Sequence, residues 1–167
     1  MIILQLFKYI FENLEKRNIE YLISGSYALN LYSPPRSTRD IDIVAGITLQ
    51  NLDSFLEIFS SGFYFHKEAI VEDLKHRILF NIIHIDEGFK FDFIPKKRDE
   101  YSDEQFRRKK YLKIDGFHAW ALTAEDLIIS KLQWIQQSKS VFQMKDLEEI
   151  LTRKDIDMDY LMLWTKN

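Results

Sequence analysis

Cysteine is absent from the sequence, and its 167 residues include only three prolines and five glycines. Without cysteine the chain has no disulfide framework, no thiolate metal site and no cysteine nucleophile. This composition suits a reducing compartment, and we expect a cytoplasmic protein. Apolar runs are also short, since none reaches the roughly 18 to 20 residues that a membrane helix needs. We therefore expect no membrane partner, and the composition does not fix an oligomeric state.

The sequence also has no excess of positive charge. The chain has 23 basic and 26 acidic residues, a net charge of −3, which excludes a chain-wide cationic field for nucleic acid. Residues 96–113 are the exception, with eight basic residues against four acidic ones. This basic segment is either a solvated surface or a local guide that brings a nucleotide or an RNA end toward an acidic site.

The remaining composition, 46% hydrophobic and 29% charged, is typical of one packed domain. Apolar spacing predicts a first helix over 2–17, and Thr48 is the expected N-cap of a later helix whose apolar face begins at Leu49. Residues 69–76 are ambiguous. Strands are predicted at 21–23, 40–45, 77–85, 89–94, 110–114 and 117–121, and further helices follow Thr123. We interpret the tryptophans as core residues, with base stacking as the alternative for any exposed one. Strands in the middle and helices at both ends predict an α/β or α+β fold.

Two aspartates interrupt the apolar strand over 40–45. Asp40 and Asp42 are two residues apart, so a strand places both carboxylates on one face while Ile41 and Ile43 point into the core. Two like charges this close repel each other unless a divalent cation lies between them. The pattern therefore indicates a metal site, with a solvated strand end as the alternative.

A third acid, Asp92, interrupts the strand predicted over 89–94. If this strand lies beside the first, three carboxylates converge on one face of the sheet, an arrangement that holds two hard cations and clamps a phosphoryl group. The alternative is a residue on an edge strand that faces water opposite Lys90.

Gly25 and Ser26 follow a short predicted strand and open a short helix. Free backbone N–H groups at such a helix start, together with the helix dipole, favour a phosphate group. Glycine allows the close approach, although a plain tight turn has the same sequence.

Taken together, these residues resemble the nucleotidyltransferases of the DNA polymerase β-like superfamily, whose pattern is Gly-Ser or Gly-Gly, a loop, Asp-x-Asp and a distant third Asp. Residues 36–42, Arg-Ser-Thr-Arg-Asp-Ile-Asp, are similar to the Arg-x-Thr-x-Asp-Ile-Asp of its small bacterial members. These include the minimal nucleotidyltransferases and the abortive-infection type II toxins. Residues 123–131 and 145–147 are similar to the helical tail of those proteins.

The resemblance implies a polymerase β-like core over residues 1–122, with a mixed and largely antiparallel sheet flanked by helices. A helical extension over 123–167 would pack on the same domain. The implied activity is transfer of a nucleoside monophosphate from a nucleoside triphosphate to a hydroxyl, with release of pyrophosphate. The implied catalytic and metal-binding residues, for Mg²⁺ or Mn²⁺, are Asp40, Asp42 and Asp92. The implied nucleotide-binding residues are Gly25, Ser26, Arg36, Thr38 and Lys131.

Lys131 lies in the apolar stripe of the helix after Thr123. A buried lysine must extend its ammonium to water, pair with an acid such as Asp146, or reach the active-site cleft. The resemblance favours the cleft, so we predict a contact with the triphosphate.

Three functional hypotheses remain. The first is the metal-dependent nucleotidyltransferase, with an RNA end, a protein or a small molecule as acceptor. The second is a non-catalytic nucleotide-binding or partner-binding module of a toxin–antitoxin type system. The third, a sugar transferase that uses Asp-x-Asp, does not explain Gly25, Ser26 or Asp92.

Overall fold

A computed structural model describes residues 2–114, 116–138 and 141–166 of the chain. Helices in these ranges are α1 (Ile2–Lys16), α2 (Gly25–Leu29), α3 (Leu52–Leu56), α4 (Lys67–His76), α5 (Glu100–Arg108), α6 (Ala124–Ser138), α7 (Val141–Leu151) and α8 (Met158–Thr165). The strands are β1 (Tyr21–Ser24), β2 (Asp40–Ala45), β3 (Phe63–Tyr64), β4 (Phe80–His84), β5 (Phe89–Pro95), β6 (Lys110–Ile114) and β7 (Phe117–Ala121).

The seven strands form one mixed sheet in the order β3-β4-β5-β2-β1-β7-β6. The β2–β5 and β1–β7 pairs are parallel, and the other four neighbouring pairs are antiparallel. This confirms the predicted α/β architecture and both predicted hairpins, although Asp115 of the second hairpin lies outside the described residues. No helix in the described ranges is both long and apolar enough to cross a bilayer.

One face of the sheet carries the aromatic core. Ile41 and Ile43 of β2 are fully buried there, as the alternation predicted, and so are Phe91 and Phe93 of the neighbouring β5. Helix α1 covers this face with Phe7, whose ring lies 5.7 Å from that of Phe91. The core therefore fixes which residues of β2 and β5 point to the opposite face.

Helix α6 is joined to two other helices by a buried polar network. Asp126 is completely buried and accepts hydrogen bonds from Tyr101 of α5 at 3.1 Å and Tyr160 of α8 at 2.7 Å. It also closes the N-terminal cap of α6, because its backbone N–H donates to the Thr123 hydroxyl at 3.2 Å. The network ties α5, α6 and α8 together. The division into a core over 1–122 and an extension over 123–167 stays a prediction.

Two local predictions were incomplete. Helix α3 begins at Leu52, and its N-cap position is Asn51 rather than the predicted Thr48. Thr48 and Asn51 form a turn before the helix, in which the Thr48 N–H donates to the Asn51 side chain at 2.8 Å. Leu49 is consequently half exposed instead of packed. The ambiguous segment 69–76 belongs to α4, and Arg77, the residue that caps the C-terminal end of this helix, has a left-handed backbone with φ 55°.

Candidate active site

Three aspartates meet on the face of the sheet opposite the aromatic core. Asp42 of β2 and Asp92 of β5 are direct register partners across the parallel pair, and Asp40 lies two residues before Asp42 on the same face. Strand β5 lies between β4 and β2, and Asp92 is only 6% exposed. Asp92 is therefore not an edge-strand residue that faces water, and the predicted convergence of the three acids is confirmed as a placement on the sheet.

Lys90 supplies the positive charge beside these acids. Its ammonium lies 2.8 Å from Asp92 Oδ2 and 4.0 Å from Asp40 Oδ2, and the hydrogen bond to Asp92 raises the pKa of Lys90. Burial, together with the nearby charges of Asp92 and Asp40, raises the pKa of Asp42 to about 6. The folded protein therefore disfavours the ionised form of Asp42.

Whether the acids fit a divalent cation depends on their free oxygens. Asp92 Oδ1 is buried and has no hydrogen-bond partner among the described residues. Carboxylate oxygens are the ligands that Mg²⁺ and Mn²⁺ prefer, and a cation would favour the ionised form of Asp42. In the described ranges, however, no three acidic or histidine side chains form a group that could hold a metal ion, and the Lys90 ammonium is the positive charge at Asp92 Oδ2. The donor chemistry fits a cation, and the metal site stays a prediction in which the cation would compete with Lys90 for Asp92.

We expect Lys90→Met to lower stability in EDTA and to enlarge the stabilisation by Mg²⁺. The substitution leaves Asp92 buried without its cation. Because the Lys90 side chain is 41% exposed, we expect a loss of about 1 to 2 kcal/mol rather than the roughly 3 to 5 kcal/mol of a fully buried pair. Thermal melts of both proteins in EDTA and in MgCl₂ measure the two effects. Lys90→Arg, which keeps the charge, is the control. An equal rise in Tm with Mg²⁺ for Lys90→Met and for wild type would contradict a competition between Lys90 and the cation for the carboxylates.

Gly25 lies directly against Asp42. Its backbone is left-handed, with φ +61°, and a Cβ atom there would lie 1.8 Å from Asp42 Oδ2. Only glycine allows the chain to turn from β1 into α2 at this distance from the carboxylate. Ser24, the N-cap of α2, makes no side-chain capping bond. The predicted phosphate-binding turn is thus adjacent to the predicted metal ligands, and phosphate binding itself stays a prediction.

Gly25→Ala should destabilise the protein and displace Asp42, and Gly88→Ala provides a matched control. Gly88 has nearly the same φ, +58°, but a Cβ atom there would meet nothing within 4 Å. Both variants carry the cost of a left-handed alanine, about 1 kcal/mol. Only Gly25→Ala adds a steric clash, so we expect an extra loss of about 1 to 3 kcal/mol in urea unfolding. Equal losses in the two variants would show that the contact with Asp42 is unimportant.

Arg36 connects Ser26 to the C-terminal helices. Its Nη2 donates to Ser26 Oγ at 2.7 Å and to Asp146 Oδ2 at 2.8 Å. Lys131 Nζ lies 2.8 Å from the same Asp146 oxygen and 3.0 Å from Gln143 Oε1. The structure therefore shows the pairing of Lys131 with Asp146, and the predicted contact of Lys131 with a triphosphate is untested.

Thr38 lies next to the first acid of the motif. Its hydroxyl donates to Asp40 Oδ1 at 2.7 Å, which orients that carboxylate. This contact gives Thr38 a role at Asp40, while the nucleotide-binding role predicted for Thr38 and Arg36 remains a prediction.

The sequence interpretation missed Lys90 as a member of the site. Lys90 lies two residues before Asp92 on a strand, so the same alternation that aligned Asp40 with Asp42 could have placed it on the acidic face. It also missed a cavity whose lining includes Ser24, Val44, Ile94 and Trp134. Trp134 is 48% exposed, so its interpretation as a core residue was wrong.

Comparison with known proteins gives a family that extends over almost the whole chain. Residues 2–166 match the family described as "nucleotidyltransferase of unknown function (DUF6036)". The chain belongs to this nucleotidyltransferase family. A search of curated proteins gave no match.

Solved structures show that this DUF6036 nucleotidyltransferase shares its fold with other nucleotidyltransferases. The chain is similar to ANT(2")-Ia in complex with adenylyl-2"-tobramycin, with a TM-score of 0.63, 12% identity, and coverage of 98% of this chain and 94% of that one. It is similar to the lincomycin-bound lincosamide adenylyltransferase LnuA, with a TM-score of 0.55, 14% identity, and coverage of 87% and 96%. A nucleotidyltransferase-like protein from Paracoccidioides brasiliensis has a TM-score of 0.55, 21% identity, and coverage of 84% and 69%. These likenesses agree with the polymerase β-like fold that the motifs implied.

Proposed function

We propose that the chain transfers a nucleoside monophosphate from a nucleoside triphosphate to a hydroxyl acceptor, with a divalent cation as cofactor and pyrophosphate as the second product. The observation that carries the proposal is the juxtaposition of Asp42, Asp92 and the left-handed Gly25 at one point of the sheet. Membership in a nucleotidyltransferase family supports it. The family does not by itself specify the donor, the metal or the acceptor.

In this proposal the three acids would hold Mg²⁺ or Mn²⁺. Such cations, when bound, supply positive charge that offsets the charge of the phosphates and lowers the pKa of a coordinated hydroxyl. The main-chain turn at Gly25, the Ser26 hydroxyl and the Arg36 guanidinium lie together on the Asp40 side of the site and would bind the phosphates. The exposed part of Arg36 is the charge available for that contact.

Asp92 would assist the attacking hydroxyl. Its unpartnered Oδ1 would accept the proton of that hydroxyl as the hydroxyl oxygen bonds to the α-phosphorus. The bond from the α-phosphorus to its bridging oxygen then breaks, and pyrophosphate leaves from the Gly25 side. Thr38 would act through Asp40, whose carboxylate it orients.

Donor binding is tested by thermal shift. A ligand at 100 times its Kd stabilises the native state by about 2.7 kcal/mol, which for a chain of this size raises the Tm by about 5 to 11 °C. We expect such a shift with Mg²⁺ and at least one of the four common nucleoside triphosphates. Neither component alone should give it in full. The absence of a shift at millimolar concentrations for all four would contradict the proposal.

Transfer is tested with α-labelled triphosphates, Mg²⁺ and separate pools of RNA, protein and small hydroxyl compounds. We expect label to enter one pool and pyrophosphate to appear in equal amount, and Asp92→Asn to prevent both. A non-catalytic module predicts a different pattern, with the thermal shift present and no label transferred to any pool.

A further inference from the structure

A large cavity adjoins the carboxylates on the same face of the sheet. Its volume is about 660 Å³, within the range of roughly 300 to 1,000 Å³ that is usual for small-molecule sites. Ser24, the register partner of Asp42, lines it, and so do Val44 and Ile94, each two residues beyond an acid on its strand. Because alternate residues of a strand share a face, the cavity adjoins the three acids on that face, although none of the three is a lining residue.

The strand directions place this cavity on the side away from the phosphate-binding turn. Strand β1 runs antiparallel to β2, so the chain passes Ser24 and enters Gly25 toward the Asp40 end of β2. Val44 and Ile94 lie toward the other end of their strands. The acids therefore stand between the turn that would hold the phosphates and the cavity. In an in-line displacement the attacking hydroxyl and the leaving group lie on opposite sides of the phosphorus. If the phosphates bind at Gly25, the cavity would be on the attacking side.

The far wall of the cavity carries hydrogen-bonding groups with no partner. Ser130, Gln133 and Gln137 form one stripe of α6 that lines it. Both glutamines are exposed at the mouth of the cavity, and within the described ranges their side-chain amides have no hydrogen bond to another residue. Each amide offers two donors and an acceptor. Such groups match a ligand with several hydroxyls better than they match an apolar ligand.

Aromatic faces and balanced charge narrow the ligand class further. Trp134 of α6, which is 48% exposed, and Trp164 of α8 both line the cavity and give flat surfaces for the C–H face of a ring. The charged lining residues are two basic and two acidic side chains, Arg77, Lys97, Asp99 and Glu100. Because the basic and acidic lining residues are equal in number, the charge of the cavity lining favours neither a polycationic nor a polyanionic ligand.

We propose that this cavity is the acceptor site and that the acceptor is a small, neutral, polyhydroxylated molecule such as a glycoside or a cyclitol. The inference rests on the proposed function, because it assigns the hydroxyl that receives the nucleotide. A nucleic acid or a protein is disfavoured, since the hydroxyl must reach the acids through a cavity of small-molecule size.

The test is a binding measurement that needs no turnover. Neutral methyl glycosides, disaccharides and inositols are titrated while tryptophan fluorescence is followed, with tobramycin as the polycationic probe and total RNA as the polyanionic one. We expect at least one neutral compound to change the fluorescence and, in the transfer assay, to accept label. The change should persist in Trp120→Phe, whose indole packs against Tyr111 away from the cavity, and should be lost in Trp134→Phe with Trp164→Phe.

Helix α6 provides a matched pair of variants. Gln133→Ala with Gln137→Ala should weaken binding of the neutral compound about tenfold or more. Gln136→Ala, at an exposed position of the same helix outside the cavity lining, should leave it unchanged. None of these variants should alter the thermal shift by Mg²⁺ and triphosphate. If no neutral compound binds, or if label enters only RNA, protein or tobramycin, the acceptor assignment is wrong while donor binding still stands. Loss of donor binding in the wild type would instead refute the proposed function.

Discussion

Asp42→Asn should abolish nucleotidyl transfer and, in EDTA at neutral pH, make the protein more stable. Transfer should fall about a thousandfold or more, because an amide removes one carboxylate from the proposed cation site. The gain in stability has a separate cause. Burial and the two neighbouring acids raise the pKa of Asp42 to about 6, so the ionised carboxylate costs the folded state free energy that asparagine does not.

The pH dependence of this gain follows from the direction of the shift. An unfolded aspartate has a pKa near 3.8, so between about pH 4 and pH 6 the native state holds a proton that the unfolded chain has released. The free energy of unfolding therefore falls as pH rises through this window. The advantage of Asp42→Asn should grow from near zero below pH 4 to at most about 3 kcal/mol above pH 6.

Urea unfolding at several pH values in EDTA measures this difference directly. Asp86→Asn is the control, because Asp86 is exposed in the turn before β5. Added Mg²⁺ should narrow the gap between wild type and Asp42→Asn, since only the wild type keeps all three acids. Parallel pH profiles of the two proteins would show that ionised Asp42 does not destabilise the folded state. Full transfer activity of Asp42→Asn would show that the carboxylate is not required for transfer.

Local patterns were sufficient to place the first two acids. Asp40 and Asp42 alternate with Ile41 and Ile43, and a strand has only two faces, so burial of the isoleucines left one orientation for the carboxylates. The same reasoning could have placed Lys90 beside Asp92. The face of a strand on which each side chain lies could therefore be predicted from the sequence.

Pairing between distant segments was not accessible in this way. The register of Asp42 with Asp92 joins strands that are 50 positions apart in the chain, and no local pattern specifies which neighbour β5 takes or in which direction. The cavity is less accessible still, since its walls come from the sheet, α5, α6 and α8. The start of α3 shows a subtler limit. Both Thr48 and Asn51 are residue types that commonly cap helices, but the Asn51 side chain bonds to the Thr48 N–H and the Gly46 carbonyl and makes no capping bond to α3.

Lys131→Met should destabilise the protein by about 2 to 4 kcal/mol at neutral pH. Lys131 and Asp146 are 2% and 4% exposed, and removal of one partner leaves the other buried without its counter-charge. Burial opposes ionisation of Asp146, but hydrogen bonds from Lys131 and Arg36 outweigh it and hold the pKa of Asp146 below its usual value. Arg36 remains in the variant, so we expect the loss to be smaller than for a pair with no third member.

Several controls distinguish this pair from a general effect of losing a lysine. Lys145→Met removes an exposed charge next to Asp146 on α7 and should change stability by less than about 0.5 kcal/mol. Lys131→Met with Asp146→Leu should recover part of the lost stability, because no unpaired charge remains. The stabilising pair should also weaken as pH falls below 4 and Asp146 takes up a proton, since a lowered carboxyl pKa contributes stability only above that range.

The same variants separate a structural lysine from one that contacts the triphosphate. Asp146 holds Arg36 beside Ser26, so the pair can affect nucleotide binding by positioning Arg36. If Lys131 acts only in this way, Lys131→Met should keep most of its affinity for Mg²⁺ and triphosphate, because Asp146 still holds Arg36, whereas Asp146→Leu should weaken it. A direct phosphate contact predicts the reverse order, with the larger loss in Lys131→Met. Because the Lys131 ammonium already contacts Asp146 and Gln143, we expect the first result, which would remove Lys131 from the set of nucleotide-binding residues.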